Sequence, residues 1–236
     1  MTLQTSNRLL YLVRHGQTAS NLRRSFGRLD DPLTEEGRRE VSALASRLEG
    51  TRPDRFVTSP LARTVETASI LACSLGMKPN LEDQLVEARS GLFTGMTWKE
   101  ACRLHPEIAQ EVVNTGSWGC VPGAESFEAV RARARSWVDS LRMRGSSGSS
   151  ILAVTHAGFM NALLWEELGT GTFHSFKNAG MTVVVLDQEG ALRIDAIDLG
   201  PEEVASRAPV FRGGSAGGGQ ATKRARPKPN PFRDGT

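Results

Sequence analysis

The chain has few cysteines and no long apolar run. Its three cysteines, Cys73, Cys102 and Cys120, are an odd number at no metal-ligand spacing, which argues against a disulfide framework or a zinc site. No stretch approaches the roughly 20 continuous apolar residues of a membrane helix. The first residues also lack the charged-then-apolar pattern of a signal peptide. We therefore expect a protein of a reducing compartment, the cytoplasm, with no membrane partner.

A net positive charge is found only in the C-terminal segment. The 236 residues carry a net charge of +3, and residues 213–236 alone carry +4 from five basic residues and one acidic residue, which leaves −1 for residues 1–212. A near-neutral body does not favour nucleic-acid binding. The Gly, Ser, Lys, Arg and Pro composition of 213–236 predicts a disordered tail. Its basic run at 223–228 is a nuclear import signal, a binder of an anionic partner, or only a solvated extension.

Patterns of strands and helices alternate along the body of the chain. Strands are predicted at 9–13, 55–58, 81–86 and 151–155, followed by a hairpin of 181–187 and 192–197, and helices at about 34–50, 60–76, 124–144 and 158–168. This alternation predicts a three-layer α/β/α sandwich with a mostly parallel central sheet. Residues 88–123, rich in Gly, Trp and Thr, are predicted to form a cap insertion with one or two short helices. We expect residues 1–212 to be one domain.

Polar residues follow the predicted strands at the points where those strands end. Arg14 and His15 follow the first strand, Arg63 lies just beyond the second, Glu87 follows the third, and His156 follows the strand at 151–155. Ligands of α/β sheets bind outside the carboxyl ends of the strands. The two histidines, two arginines and one carboxylate are therefore expected to converge on one pocket.

This combination of side chains suits phosphoryl transfer. Arginine offers planar, paired donors that match phosphate oxygens and stabilise the transferring group. A neutral histidine can attack phosphorus and carry the phosphoryl group. A carboxyl group can protonate the leaving oxygen and then activate water. Gly16, next to His15, lets backbone amides come close to a ligand.

Several motifs, in the same order along the chain, resemble those of the histidine phosphatase superfamily in its phosphoglycerate-mutase-like branch. The motifs are RHGQT at 14–18 with Asn21, Gly27, Asp30, PLT at 32–34 and Gly37, then SPLARTVETA at 59–68, PGAES at 122–126 with Arg133, and THAG at 155–158. An isolated Arg-His-Gly is a weak signal, since a polar loop after a strand often contains one. The ordered set covers nearly the whole of residues 9–197.

The resemblance implies a role for each matching residue. His15 is then the nucleophile that becomes phosphohistidine, and Arg14, Arg63 and His156 complete the phosphate pocket. Glu87 is then the proton donor, because it lies four residues before Gly91 as the family's acid does. The remaining phosphate-binding residues implied by the resemblance are Asn21, Gly27 and Ala157. The family needs no metal and no cofactor.

Two departures from the family pattern bear on the reaction. Residues 93–95 read Phe-Thr-Gly where the family often has an aromatic residue, a glutamate and a glycine. Residues 88–93 do not match the Arg-, Tyr- and Asn-rich stretch of true mutases, which favours a hydrolase. We therefore expect a phosphomonoester hydrolase. The alternatives are a phosphoglycerate mutase and an inactive phosphate-binding scaffold.

The substrate and the proton donor are less firmly indicated. Residues 88–123 contain few cations beyond Arg89, Lys99 and Arg103, so a small phosphorylated metabolite is expected in preference to a highly charged bisphosphate. A phosphoprotein substrate stays open. Glu87 has the ordinary alternative of a solvated surface carboxylate, with other acidic residues nearby. The sequence predicts no oligomeric state.

Overall fold

The computed structural model describes residues 7–144, 148–168 and 172–206 of the chain. In this part of the chain the strands are β1 (Arg8–Arg14), β2 (Arg55–Thr58), β3 (Asn80–Leu81), β4 (Ser150–Thr155), β5 (Met181–Leu186) and β6 (Leu192–Leu199). The helices are α1 (Ala19–Arg23), α2 (Glu35–Arg47), α3 (Ala62–Leu75), α4 (Trp98–Leu104), α5 (Pro106–Thr115), α6 (Phe127–Arg144), α7 (Ala157–Leu163), α8 (Trp165–Leu168) and α9 (Pro201–Ser206).

The strands form one mixed sheet in the order β3-β2-β4-β1-β5-β6. The pairs β2–β3, β2–β4 and β1–β4 are parallel, whereas β5 is antiparallel to both β1 and β6. The hairpin predicted for the last two strands is therefore confirmed. Because β1 and β4 lie at the centre, their carboxyl ends meet in the middle of one edge of the sheet.

Two apolar cores cover the two faces of this sheet, as alternation of side chains along β1 requires. Tyr11 and Val13 pack into a cluster with residues of α2, α3 and α9. Leu10 and Leu12 pack into the other cluster with residues of α6 and α7. Helices thus lie on both faces of a mostly parallel sheet, which confirms the predicted three-layer α/β/α sandwich.

Local sequence explains the start of α2 and the end of α3. Thr34 caps α2, since its side chain accepts a hydrogen bond from the amide of Gly37, and Glu35 and Glu36 occupy the first turn. This helix ends at Arg47, short of Gly50 where we expected its end. α3 ends at Leu75, and the next residue, Gly76, adopts a positive φ of 60° that terminates the helix.

The strand predicted over 81–86 is wrong for most of its length. Only Asn80–Leu81 pairs with β2, and the chain then turns through a single 3₁₀ turn at Asp83–Leu85. The apolar residues that suggested a strand are used differently, because Leu85 is buried in the core beneath α6 and α7. Glu87 therefore follows an irregular segment and not a strand end.

The cap, residues 88–123, leaves the sheet and returns to it through a narrow neck. Ser90 pairs with Ala124 in an antiparallel bridge, and the amide of Leu92 donates to the carbonyl of Pro122 at 2.9 Å. Beyond the neck, α4 and α5 enclose a small apolar cluster of their own, with Phe93 at its centre. The insertion, predicted to contain one or two short helices, thus contains two.

Within the described ranges, no helix is both long enough and apolar enough to cross a membrane. The tail predicted to be disordered, residues 213–236, lies outside the described residues. The extent of the predicted domain, residues 1–212, stays a prediction.

Candidate active site

Strand register brings the two histidines together. Arg14 and Thr155 are paired across β1 and β4, so the next residue on each strand, His15 or His156, leaves the sheet beside the other. The amide of His15 donates to the carbonyl of Thr155 at 3.1 Å, and the two imidazole rings lie with their centroids 5.2 Å apart. The carboxyl ends of two adjacent parallel strands therefore place both rings in one site.

The hydrogen bonds of His15 define its tautomer. Its Nδ1 lies 2.7 Å from the carbonyl oxygen of Gly16, which can only accept, so Nδ1 carries the proton. Its Nε2 lies 3.2 Å from Nε of Arg63, which can only donate, so Nε2 presents its lone pair. His15 is therefore a neutral imidazole with Nε2 as its unprotonated nitrogen.

The surroundings of His15 keep it neutral. The residue is 3% exposed, and burial is the main cause that lowers its pKa well below the usual range. The positive charges of Arg63 and Arg14 lower the pKa further, and the hydrogen bond to Gly16 opposes them only in part. The Nε2 lone pair is consequently available across the neutral pH range.

Backbone carbonyls hold the two arginines. Nη1 of Arg14 donates to the carbonyl of Phe176 at 2.5 Å, and Nη1 of Arg63 donates to the carbonyl of Arg28 at 2.7 Å. Nε of Arg14 is buried and has no protein partner. Burial lowers the pKa of both guanidinium groups, and the Glu87 carboxylate acts in the opposite direction on both. Two desolvated cations thus lie within electrostatic reach of His15, and one of them has an unused donor suited to an anion.

The Glu87 side chain lies beside the start of α7, and its charge raises the pKa values of both arginines. Its Oε1 accepts from the amide of Ala88 at 2.9 Å, and its Oε2 lies 3.4 Å from the amide of Gly158. A Cβ atom on Gly158 would lie 2.3 Å from Oε1, so the carboxylate occupies this position because residue 158 is glycine. The structure therefore brings Glu87 to the same end of the sheet as the histidines.

His156 is fully buried and completes this group of side chains. Its Nε2 lies 2.9 Å from Oγ of Ser59, and its Nδ1 has no protein partner. Burial is again the main cause that lowers its pKa well below the usual range, followed by the charge of Arg63. A neutral imidazole here can donate or accept a hydrogen bond. We refer to Arg14, His15, Arg63 and His156 as the active-site floor.

The other three predicted residues differ in their distance from the floor. Gly27 lies against Arg63, since a Cβ atom on it would be 3.7 Å from the guanidinium carbon. Ala157 is the first residue of α7, directly after His156. The Asn21 side chain accepts from the amide of Thr18 at 3.0 Å and caps α1. In the described chain its side-chain hydrogen bonds stay within that cap and do not reach the floor.

Sequence reasoning missed several supporting contacts. Ser59, the partner of His156, lies within the SPLARTVETA segment. The motif therefore included this residue, but it did not predict the hydrogen bond to His156. The carbonyls of Phe176 and Arg28, which hold the two arginines, carry no side-chain signal at all. Gly158 belongs to the THAG segment, yet its closeness to Glu87 depends on how the irregular segment after β3 turns.

Comparison with known proteins agrees with this geometry. The sequence model of the histidine phosphatase superfamily (branch 1) matches residues 10–196. The chain is 36% identical over 170 residues to "Bifunctional protein Rv2228c" of Mycobacterium tuberculosis, a match that covers 71% of this chain and 46% of that protein. The chain thus spans about half the length of that relative.

Two further proteins similar to this chain are named after the reaction that they are assigned. "Probable phosphoglycerate mutase GpmB" of Yersinia enterocolitica is 30% identical over 161 residues, covering 68% of this chain and 74% of that protein. The structure of mycobacterial glucosyl-3-phosphoglycerate phosphatase Rv2419c with VO3 superposes with a TM-score of 0.68 at 27% identity, covering 81% of this chain and 98% of that one. With a family match across nearly the whole body, the chain belongs to the histidine phosphatase superfamily, branch 1.

Proposed function

We propose that this protein is a phosphomonoester hydrolase that works through a phosphohistidine on His15 and needs no metal ion. The observation that carries the proposal is the neutral His15, whose Nε2 lone pair faces the Arg63 guanidinium in a site flanked by Arg14 and His156. A desolvated neutral nucleophile surrounded by cations fits attack on a phosphate dianion.

In the first step, the Nε2 lone pair of His15 forms a bond to phosphorus as the phosphorus–oxygen bond to the leaving group breaks. The leaving oxygen takes a proton from the Glu87 carboxyl group. Arg14, Arg63 and His156 stabilise the charge on the oxygens of the transferring group, which supplies most of the catalysis in phosphoryl transfer. The positions of Arg63 next to Nε2 and of Glu87 near both arginines support this assignment.

In the second step, water attacks the phosphohistidine while the Glu87 carboxylate takes a proton from it. The nitrogen–phosphorus bond breaks and its electrons return to Nε2. Inorganic phosphate leaves, and both His15 and Glu87 recover their starting protonation states. One carboxyl group thus acts as acid and then as base, as microscopic reversibility allows.

The cap is proposed to set the choice of substrate. It contacts the loop beside the floor, because the amide of Phe26 donates to the carbonyl of Met96 and the amide of Gly95 donates to the carbonyl of Phe26. A small phosphorylated metabolite is proposed, in line with the phosphatase among the structural relatives. We also propose a cytoplasmic location. An import signal or anionic-partner site in the tail falls outside the described residues.

The test is phosphate release from a panel of phosphomonoesters in the presence of a chelator, with His15→Ala measured alongside. We expect turnover that ignores the chelator and disappears in the variant. His105→Ala, a change at a cap histidine away from the floor, should keep turnover within a few-fold. Loss of turnover in the chelator, or equal turnover by His15→Ala, would refute the mechanism.

Two further assays separate the rival functions. A phosphoenzyme trapped in alkali from labelled substrate should carry acid-labile label on His15, whereas an inactive scaffold binds ester without label or turnover. A mutase would convert one phosphoglycerate isomer into the other without releasing phosphate. The GpmB similarity makes this second assay necessary, and isomerisation faster than phosphate release would replace our proposal with a mutase.

A further inference from the structure

A buried ion pair outside the floor holds the segment that precedes Glu87. The Arg133 guanidinium, on α6, donates through Nε and Nη2 to the two carboxylate oxygens of Glu125 at 3.1 and 2.9 Å. The side chains are 17% and 7% exposed, respectively. A paired, two-bond contact between these groups is geometrically specific as well as strong.

The same guanidinium also reaches the backbone next to Glu87. Nη1 of Arg133 donates to the carbonyl oxygens of Gln84 and Val86, both at 2.8 Å. The carbonyl of Leu85, between them, accepts from the Thr155 hydroxyl at 2.8 Å. Side chains thus hold three successive carbonyls immediately before Glu87.

This arrangement follows from the local loss of strand pairing. The chain stops pairing with β2 after Leu81, so the sheet ladder does not position the residues up to Glu87. Buried backbone carbonyls need partners. Arg133 donates to two of these carbonyls, and it does so from a helix, which positions a side chain more rigidly than a loop does.

Glu125 ties the other side of Glu87 to the same ion pair. Its amide donates to the carbonyl of Arg89 at 2.9 Å, two residues after Glu87 and at the neck of the cap. Glu125 and Arg133 together therefore fix residues 84–86 before Glu87 and Arg89 after it. The backbone is therefore held both before and after Glu87, which fixes the position of its carboxylate.

We propose that Glu125 and Arg133 are positioning residues that hold the Glu87 carboxyl group at the distance needed to protonate the leaving oxygen. This inference rests on the proposed function, in which Glu87 is the acid. Neither residue touches the reacting atoms, so their loss should harm proton transfer and leave nucleophilic attack by His15 largely intact. A misplacement of about 1 Å in a catalytic group can cost on the order of 100-fold in rate.

The test compares two substrates of nearly equal shape, phenyl phosphate and p-nitrophenyl phosphate. The nitrophenolate ion leaves without a proton far more readily than phenolate does, so the ratio of the two kcat/KM values measures the need for the acid. We expect Glu87→Gln to raise this ratio in favour of the nitro ester by about 100-fold. Arg133→Met should raise it by about 10-fold.

Milder variants and a matched control guard against a simple loss of folding. Glu125→Gln keeps the shape of the side chain, and Arg133→Lys keeps the charge, so both should raise the ratio by about 3-fold. Arg135→Met lies two residues further along α6, where the guanidinium donates to the carbonyl of Gly190, and should leave the ratio unchanged. If Arg133→Met does not fold, the two milder variants give the answer.

The outcomes separate the inference from the proposed function. If Glu87→Gln changes the ratio while the Arg133 and Glu125 variants slow both esters equally, the ion pair is only structural and the inference is wrong. If Glu87→Gln leaves the ratio unchanged, Glu87 is not the acid, and the proposed function fails in that step together with the inference. A rise in the ratio across all these variants except Arg135→Met supports both.

Discussion

The active-site floor and the cap differ in how deeply their side chains are buried. Each floor histidine is less than 4% exposed and lies at the carboxyl end of a central strand whose side chains fill the two large apolar cores. The cap has its own small core around Phe93 and leaves apolar side chains at its surface, including Leu104 at 48% and Val113 at 46% exposed. Because the floor side chains are closely packed, they can adopt only one arrangement. Surface residues of the cap can be substituted without disturbing the packing of the sheet.

In the described chain, the two regions meet at the neck of the cap and along residues 23–28. One contact region is the neck, where Gly91 packs against the returning chain at Pro122 and Ala124. The other is the loop at Phe26, which bonds to the cap and continues to Arg28, whose carbonyl holds Arg63. We therefore expect changes in the floor to alter the chemical step and changes in the cap to alter stability and the choice of substrate.

The largest effect is expected from Arg63→Met in the floor. The guanidinium is buried next to Nε2 of His15, so its loss removes a preorganised cation from the site of the transferring group. We expect kcat/KM to fall about 1,000-fold, close to 4 kcal/mol of transition-state stabilisation. Arg47→Met, at an exposed ion pair with Glu202, is the control and should act like the wild type. A fall of less than about 10-fold would contradict the role of Arg63.

The next effect, on stability, tests the neck. Gly91 has a φ of +55°, and a Cβ atom there would lie 2.2 Å from the carbonyl oxygen of Pro122 and 2.3 Å from the amide of Ala124. Gly91→Ala should lower the free energy of unfolding by about 3 kcal/mol and expose the cap to limited proteolysis.

Gly116→Ala is the matched control for the neck variant. Gly116 lies in the cap at a φ of +66°, but a Cβ atom there meets nothing within 4 Å. Only the backbone strain of about 1 kcal/mol should remain in this variant. Equal melting temperatures for the two alanine variants would mean that the close approach at the neck is unimportant.

A smaller effect is the acid sensitivity of the floor. The pKa values of His15 and His156 are lowered in the folded state, so below the usual histidine value of about 6.5 the unfolded chain binds protons that the folded chain does not. The free energy of unfolding should therefore fall between pH 7.5 and 6, by on the order of 1 kcal/mol for the two groups together. Urea unfolding at several pH values measures it, and His156→Gln should flatten the dependence. The acid limb of kcat/KM should likewise lie below pH 6.5.

The smallest effect concerns room for Glu87. In Gly158→Ala the new Cβ atom would lie 2.3 Å from Oε1 of Glu87, which is a side-chain atom that can move aside. We expect a fall of about 5- to 10-fold in kcat/KM for phenyl phosphate and little change in melting temperature, since alanine is favoured over glycine in a helix. Gly119→Ala, in the cap, where a Cβ atom would meet only Oγ of Ser117 at 3.4 Å, should leave kcat/KM unchanged. An unchanged rate in Gly158→Ala would mean that Glu87 does not act from this position.

Patterns along the chain predicted the fold class and the pieces of the floor well. Buried strands ending in Arg14 and Thr155 place the following histidines at the carboxyl edge of a parallel sheet, and this depends on local hydrophobic pattern and on the general geometry of α/β folds. The strand predicted over 81–86 is wrong because a buried apolar run looks alike whether it pairs in a sheet or turns beneath helices. The catalytic roles of the floor residues stay predictions until the variants are measured.

Local patterns along the chain are thus sufficient to specify the layered architecture and the residue types that gather at one edge of the sheet. The tertiary structure alone decided the hydrogen-bonded tautomer of His15, the carbonyls that hold the two arginines and the bracket that Glu125 and Arg133 form around Glu87. The reason is physical: these contacts join residues far apart in the chain, and many of the partners are backbone atoms. Only the packed chain brings them within hydrogen-bond distance.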